Sequence, residues 1–272
     1  MTNPNVKASS PHLSATSGAR RGTAASTSVA PLLNGTRRAG VLLGASAAAI
    51  YLRFDGPTDP DVVALVPTSS VRLPLAMVVA GALPALAGDP PVEVGGGTLR
   101  VGDDVWMPTR WFEPRPRGFT GPDADRLTGA DGELRRLSTA ELGVEPERAR
   151  AAITGLLAAD PRPACTLLGE GPGLTPAGDD VIAGGLATCA LRGDAAALGV
   201  APEILDRARM ATTSLSAALL WCAAAGQVVP QAARFLASLC GTGDVADALS
   251  ELRSVGTTSG TALAFGIVAA LP

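Results

Sequence analysis

The chain has little of the chemistry on which most enzymes rely. Among its 272 residues there is one histidine, His12, and one lysine, Lys7. Both lie in an N-terminal stretch whose composition predicts disorder, so we expect the folded part to contain neither an imidazole nor an amine side chain. This excludes a Ser-His-Asp triad, histidine zinc sites, Schiff-base lysines and a lysine-dependent phosphate loop. Any chemistry must use carboxylates, guanidinium groups, hydroxyls, thiols, backbone dipoles or a bound metal.

Aromatic residues and net charge are also low. Aromatics make up 3% of the sequence, which leaves no evident platforms for stacked bases. A formal net charge of −3 gives no general attraction to nucleic acid or acidic membranes. The apolar run at 39–52 follows Arg37 and Arg38 and resembles an export signal, but it is too short for a membrane span and its alternation favours a strand. We expect a cytoplasmic protein that binds neither nucleic acid nor membrane.

The sequence predicts an α+β fold in four segments. Residues 1–36, rich in Ser, Thr, Ala, Gly and Asn, are expected to form a disordered tail. Residues 37–120 carry short β-branched segments separated by Gly and Pro, which predict a β-rich domain. Residues 121–143 predict a linker or loop. Residues 144–272, where apolar residues recur at helical spacing, predict a C-terminal α-helical, bundle-like domain. The four cysteines form no C-x-x-C pair, which favours buried, reduced thiols.

The most constrained stretch is the segment 168–180, with the sequence LGEGPGLTPAGDD. Its alternating glycines allow sharp turns and the close approach of a ligand. Thr175 is suited to the N-cap of a helix and Pro176 to its first position. The backbone N–H groups of such a loop and helix start are typical of an anion-binding site. Asp179 and Asp180 follow where the helix dipole stabilises negative charge.

A weak internal repeat predicts a second helix start of this kind. Residues 178–187 align with residues 260–269, and each segment is preceded by a glycine and hydroxyl residues. Two such helix starts could face one another across a pocket, and only the first keeps carboxylates. The candidate substrate-binding residues are Gly171, Gly173, Leu174, Thr175, Gly178, Thr258, Ser259 and Gly260.

The pattern G-x-G-x-G-L-T-P-x-G-D-D-x-x-x-G at 169–184 resembles the signature of the bacterial AllH family. The segment 258–266 resembles a second motif of that family, and a looser likeness covers residues 38–272. The resemblance implies a subunit of an oxamate carbamoyltransferase that works beside an FdrA-like partner in allantoin-related nitrogen catabolism. The reaction joins oxamate and carbamoyl phosphate into oxalurate and phosphate, or runs in reverse. The second motif departs from the family at Thr257 and Ala262, where a histidine and an aspartate are common.

Carbamoyl transfer needs donors for phosphate and for the developing oxyanion, and an acceptor that orients the amide nitrogen. The N–H groups of residues 169–178 are candidate donors. Asp179 and Asp180 are the candidate catalytic residues. They would accept an amide N–H or hold a magnesium ion, because bare carboxylates repel phosphate. Alternatively, both only complement the helix dipole. Arginines that could pair with a substrate carboxylate are Arg72, Arg110 and Arg115.

A group of hydroxyls lies inside the helix predicted at residues 203–225. Thr212, Thr213, Ser214 and Ser216 either line the same pocket or bond to the preceding turn of the helix.

Three functions remain open from the sequence. The favoured one is a subunit of a carbamoyltransferase-type complex acting on oxamate or oxalurate and carbamoyl phosphate. The second is a non-catalytic scaffold or regulatory subunit that binds a small anion and docks an FdrA-like partner. The third is an independent magnesium-dependent enzyme acting on a phosphorylated metabolite. Magnesium is the one cofactor that the candidate carboxylates suggest.

Overall fold

The computed structural model describes residues 20–56, 59–86 and 88–272. The strands are β1 (Arg20–Ser26), β2 (Arg38–Ala45), β3 (Ile50–Phe54), β4 (Val62–Pro67), β5 (Ala76–Val79), β6 (Val92–Gly95), β7 (Thr98–Val101) and β8 (Asp104–Phe112). The helices are α1 (Ala30–Asn34), α2 (Ala124–Leu134), α3 (Thr139–Leu142), α4 (Pro146–Leu157), α5 (Arg162–Leu167), α6 (Ala177–Arg192), α7 (Ala195–Gly199), α8 (Ala201–Ala211), α9 (Ser214–Ala224), α10 (Pro230–Leu239), α11 (Val245–Arg253) and α12 (Ser259–Ala269). Within these ranges no helix has both the length and the apolar character that crossing a membrane requires.

The strands close into a barrel in the order β1-β5-β4-β3-β2-β6-β7-β8. β1 closes it by pairing antiparallel with β5 and parallel with β8. In β3, Ile50, Leu52 and Phe54 are buried while the intervening Tyr51 and Arg53 are half-buried, as expected for a strand with one face toward the core. β4 is buried along its whole length, and α9 packs against it.

The predicted architecture of a β-rich domain followed by a separate bundle-like domain is wrong. The strands form a closed barrel, and α9 contributes Leu215, Ala218 and Cys222 to the hydrophobic cluster of that barrel. The strand that closes the barrel, β1, lies in the stretch expected to be a disordered tail. Its sequence RRGTAAS has small residues in place of an apolar alternation, and its pairing partners lie far along the chain. The rest of the expected tail, residues 1–19, lies outside the described residues.

Two stretches of the helical part also differ from expectation. Residues 121–143, expected to be a linker, contain α2 and α3, and the Asp123 side chain caps α2. The single helix predicted at 203–225 is broken into α8 and α9. Thr212 is extended at the break, and the Thr213 side chain accepts the Ser216 N–H to cap α9.

The helices α6 and α12 pack with their backbones almost in contact. A Cβ atom on Gly184 would lie 2.3 Å from the carbonyl oxygen of Leu263, and one on Gly266 would lie 2.0 Å from that of Val181. Glycine at these two positions therefore allows the helices to approach more closely than other residues would permit. This packing sets the N-terminal ends of α6 and α12 side by side.

Candidate functional site

The glycine-rich loop before α6 is packed against the protein. Gly169, Gly171 and Gly173 have φ angles of 75°, 113° and 96°, in the left-handed region that favours glycine. A Cβ atom on Gly169 would lie 2.3 Å from the carbonyl oxygen of Ala211 at the end of α8. The N–H groups of Gly169 and Gly178 are already bonded, to Asp179 Oδ1 at 2.8 Å and to the Glu170 carbonyl at 2.9 Å. The loop therefore has fewer donors for an anion than its sequence predicts.

Asp179 fastens this loop to the junction of α8 and α9. Its side chain is 1% exposed. Oδ1 accepts the Gly169 N–H, and Oδ2 accepts the hydroxyls of Thr212 and, at 2.7 Å, of Ser216. Burial raises the pKa of Asp179, and the three donors oppose that rise. Both oxygens accept protein donors, which is the arrangement of a structural acceptor; the catalytic role of Asp179 stays a prediction.

Asp180 has a different environment from its neighbour. It lines a cavity of about 550 Å³ between the barrel and the helices. Its Oδ2 is buried and has no hydrogen-bond partner within the described part of the chain. Burial raises the pKa of Asp180 well above its usual range; the Ser259 side chain opposes the rise and the charge of Asp179 adds to it. This environment favours the neutral acid, which has one O–H to donate and one oxygen to accept.

Thr175 and Ser259 join the starts of α6 and α12. Their hydroxyl oxygens lie 3.0 Å apart, and both residues line the cavity together with Asp180. Thr175 is not the N-cap that the sequence predicts, because Pro176 occupies that position without a side-chain bond. The structure therefore brings the two predicted helix starts to one cavity, with one carboxyl group facing it instead of two.

The remaining predicted binding residues lie outside the cavity and serve the loop or the helix packing. The Leu174 carbonyl accepts the Thr213 hydroxyl at 2.5 Å, which ties the loop to the start of α9. A Cβ atom on Gly260 would lie 1.8 Å from the Leu252 carbonyl oxygen, so α12 begins in contact with α11. The described lining of the cavity does not include Gly171, Gly173, Leu174, Gly178, Thr258 or Gly260.

The three arginines considered for a substrate carboxylate lie elsewhere, outside the described lining of the cavity. Arg115 donates to the carbonyls of Ala190 at 3.1 Å and Ala225 at 2.9 Å, at the C-terminal ends of α6 and α9. The Arg72 guanidinium lies 4.9 Å from the ring centre of Phe112. Arg110 is exposed on β8.

Sequence reasoning missed the barrel side of the cavity. Tyr51 of β3, Ser69 and Ser70 after β4, and Gln227 after α9 all line it. The Oε1 atom of Gln227 accepts the Ser28 hydroxyl at 2.8 Å, so its amide nitrogen is the remaining polar atom of that side chain. No local sequence pattern predicts that these residues line a cavity, because they meet only when the barrel closes and packs against the helices.

The side chains at the helix starts do not fit a magnesium ion. Magnesium binds ionised carboxylates and other hard oxygen ligands in octahedral geometry. Asp179 accepts protein donors at both oxygens, and the burial of Asp180 favours its neutral form. In the ranges that the structure covers, no three His, Cys, Asp or Glu side chains cluster as a metal site would require. No chemistry of this site is therefore assigned to a metal.

A cavity with a buried acid between a barrel and two helix starts has the size and lining that are typical of small-molecule sites. Comparison with protein families matches residues 167–271 to the family described as oxamate carbamoyltransferase subunit AllH. The matched segment contains both helix starts and both aspartates, and it leaves the barrel outside. Over this segment the chain is similar to the AllH family. Searches of curated proteins and of solved structures found no match.

Proposed function

We propose that the protein is a cytoplasmic subunit of a carbamoyltransferase-type complex and that its cavity binds the amide end of a carbamoyl-bearing substrate. The AllH match supports the first part, since the family description names a subunit of an oxamate carbamoyltransferase. The buried, unpartnered Oδ2 of Asp180 at the cavity carries the second part. In this proposal the physiological setting is allantoin-related nitrogen catabolism.

The carboxyl group of Asp180 and a carbamoyl group have complementary hydrogen-bond donors and acceptors. A neutral carboxyl group donates its O–H to the carbamoyl oxygen and accepts a carbamoyl N–H at its other oxygen. When a nucleophile attacks the carbamoyl carbon, negative charge develops on that oxygen, and a donor already in place stabilises it. Thr175 and Ser259 form a hydroxyl pair beside Asp180, and the Ser259 side chain also hydrogen-bonds to Asp180, so the pair holds this carboxyl group in place at the cavity.

The charged parts of the substrates point to a partner subunit. Oxamate and carbamoyl phosphate are anions, and a buried anion requires a paired charge. The described residues that line the cavity include no arginine, lysine or histidine. We therefore assign binding of the phosphate and the oxamate carboxylate to an FdrA-like partner, which makes turnover dependent on both chains.

Carbamoyl transfer between phosphate and oxamate, assayed with and without the FdrA-like partner, tests this function. We expect turnover only with both chains, and a loss of about 10²-fold in the Asp180→Ala complex, as for removal of one oxyanion donor. Asp55→Ala is the matched control, because that carboxylate is 88% exposed and lies away from the cavity. Full activity of the Asp180→Ala complex would instead support the scaffold alternative, which the packed and largely bonded glycine loop also favours.

A further inference from the structure

The glycine-rich loop before α6 is the most constrained stretch of the sequence, yet it has no part in substrate binding in the proposed function. It lies beside the cavity, because Thr175 lines the cavity while the preceding Leu174 is 48% exposed. The loop is nevertheless fixed, since the Leu174 carbonyl accepts the Thr213 hydroxyl and Asp179 accepts the Gly169 N–H. A large apolar side chain that is exposed and already held in place is typical of a surface that binds another protein.

The opening of the cavity has no charge around it. Among the described residues that line the cavity, Ala48, Ser69 and Gly256 are exposed, so they mark its opening. The segments that carry these three residues, and the glycine-rich loop itself, contain no charged residue, in a chain that is 17% charged. These segments are 45–49, 68–71, 171–176 and 254–258. Charged residues are depleted in the same way at the centre of protein–protein interfaces.

A small apolar groove continues from the cavity to Leu174. The groove has a volume of about 90 Å³, and its apolar walls come from Leu43, Tyr51, Leu174 and Leu215. Tyr51 and Leu215 also line the main cavity, so the groove and the cavity share a wall. A side chain of another protein that filled this groove would lie next to the substrate.

We infer that the glycine-rich loop and the opening of the cavity form the surface on which the FdrA-like partner docks, and that the partner places an arginine or lysine at the opening, against the charged end of the substrate. We call residues 171–176 and the opening beside them the docking surface. The inference rests on the proposed function for the charge of the substrate. The position of the surface rests on the exposure of Leu174 and on the uncharged opening.

Charge complementarity decides what covers the docking surface. Oxamate and carbamoyl phosphate carry their negative charge on the far side of the carbamoyl carbon, so a carbamoyl group bound at Asp180 directs that charge away from Asp180. The described lining of the cavity has no cation to pair with it, and an unpaired anion in a buried site is costly. A second copy of this chain, docked symmetrically through the same surface, would bring the same uncharged segments and no cation. A different chain with a basic side chain meets the requirement.

Two leucine variants test the position of the docking surface. Leu174→Glu places a carboxylate in it, so we expect this variant to bind the FdrA-like partner at least about tenfold more weakly in titration calorimetry, as for the loss of an interface anchor. Leu157→Glu is the matched control, because Leu157 is 37% exposed on α4 and lies outside the described lining of the cavity and the groove. It should bind the partner as the parent does. Thermal melts check that both variants are folded.

A guanidinium group added at the opening tests the need for a cation. In the isolated chain, Ala48→Arg supplies the charge that we assign to the partner, so it should bind oxamate at least about tenfold more tightly than the parent does. Ala140→Arg is the matched control, since Ala140 is exposed on α3 and lies outside the described lining of the cavity. Acetamide has no charge, so the parent and Ala48→Arg should bind it equally.

The outcomes separate the inference from the proposed function. Equal binding of the partner by Leu174→Glu and Leu157→Glu would overturn the docking surface even if the complex transfers carbamoyl groups. Oxamate binding that is no tighter in Ala48→Arg than in Ala140→Arg would overturn the cation at the opening. If Leu174→Glu alone loses the partner while the parent complex transfers no carbamoyl group, the docking surface stands and the proposed function fails. A dimer of this chain that Leu174→Glu dissociates, with the partner still bound, would assign the surface to a second copy and overturn the inference.

Discussion

The two adjacent aspartates at the start of α6 should respond differently when the carboxyl group of each is replaced. Asp179→Ala leaves the Gly169 N–H and the hydroxyls of Thr212 and Ser216 without their acceptor. An unpaired buried donor costs about 1–3 kcal/mol, and hydroxyls can rotate toward other acceptors. We therefore expect a loss of about 3–5 kcal/mol in the free energy of unfolding, or roughly 10 °C in Tm for a chain of this size.

Asp180→Asn removes a buried acid whose Oδ2 has no partner within the described residues, and the Asn side chain keeps one carbonyl oxygen that can still accept the Ser259 hydroxyl. We expect a change within about 1 kcal/mol near pH 5. Because burial raises the pKa of Asp180, the folded state holds this proton more tightly than the unfolded state. The stability that this bound proton contributes is complete below the pKa of the unfolded state, and it is lost as pH rises toward the pKa of the folded state. The Asn side chain has no such proton, so Asp180→Asn should keep its stability as pH rises while the parent loses stability.

Urea unfolding of the parent, Asp179→Ala and Asp180→Asn across this pH range measures both effects. A loss below about 1 kcal/mol in Asp179→Ala would refute the role of Asp179 as the fastening of the loop. A difference between Asp180→Asn and the parent that is large and independent of pH would refute the description of Asp180 as a buried acid whose Oδ2 has no protein partner.

Three further predictions concern the framework around the cavity. Gly266→Ala should lower the free energy of unfolding by more than about 3 kcal/mol in urea, because the new Cβ atom would lie 2.0 Å from a carbonyl oxygen of α6. Gly132→Ala on α2 is the control; that position has open space around it, so the substitution should be neutral or stabilising. Arg115→Ala should cost about 1–3 kcal/mol in the same assay, since it removes bonds to two helix ends; an unchanged midpoint would contradict this. Cys189 and Cys222, whose burial raises their pKa to about 11 and about 12, should resist thiol reagents at about pH 8 until the protein unfolds, as followed by mass spectrometry.

The parts of the fold that could be predicted from sequence are those with local signals. The turn between β6 and β7 at Gly95–Gly97 and the two helix starts follow from glycine and proline residues next to them in the chain, although neither helix start has a side-chain cap. β1 could not be predicted, because its small residues carry no alternation and its partners are distant. The break at Thr212 and Thr213 lies inside a helical period, and it is stabilised by bonds to the distant Asp179 and Leu174.

The sequence places the two candidate carboxyl groups next to each other, but it does not predict that their surroundings differ. Successive residues on a helix point about 100° apart, so Asp179 and Asp180 must face different neighbours. Which of them meets the cavity depends on where the barrel lies, and barrel closure is a non-local property. In the sequence the two carboxyl groups look equivalent. In the structure Asp179 accepts hydrogen bonds from the protein, and Asp180 lines the cavity.

The central claim is that Asp180 is a neutral carboxylic acid able to bind an amide group. Infrared titration of protein labelled with ¹³C at the aspartate carboxyl groups tests this claim directly. The account predicts a neutral carboxyl band that is missing in Asp180→Asn and titrates well above the range of an ordinary aspartate. Saturation with acetamide, a small neutral amide, should move its midpoint still higher, because the amide binds the protonated form. A band for Asp180 that titrates like an exposed aspartate, or that ignores the amide, would contradict the account.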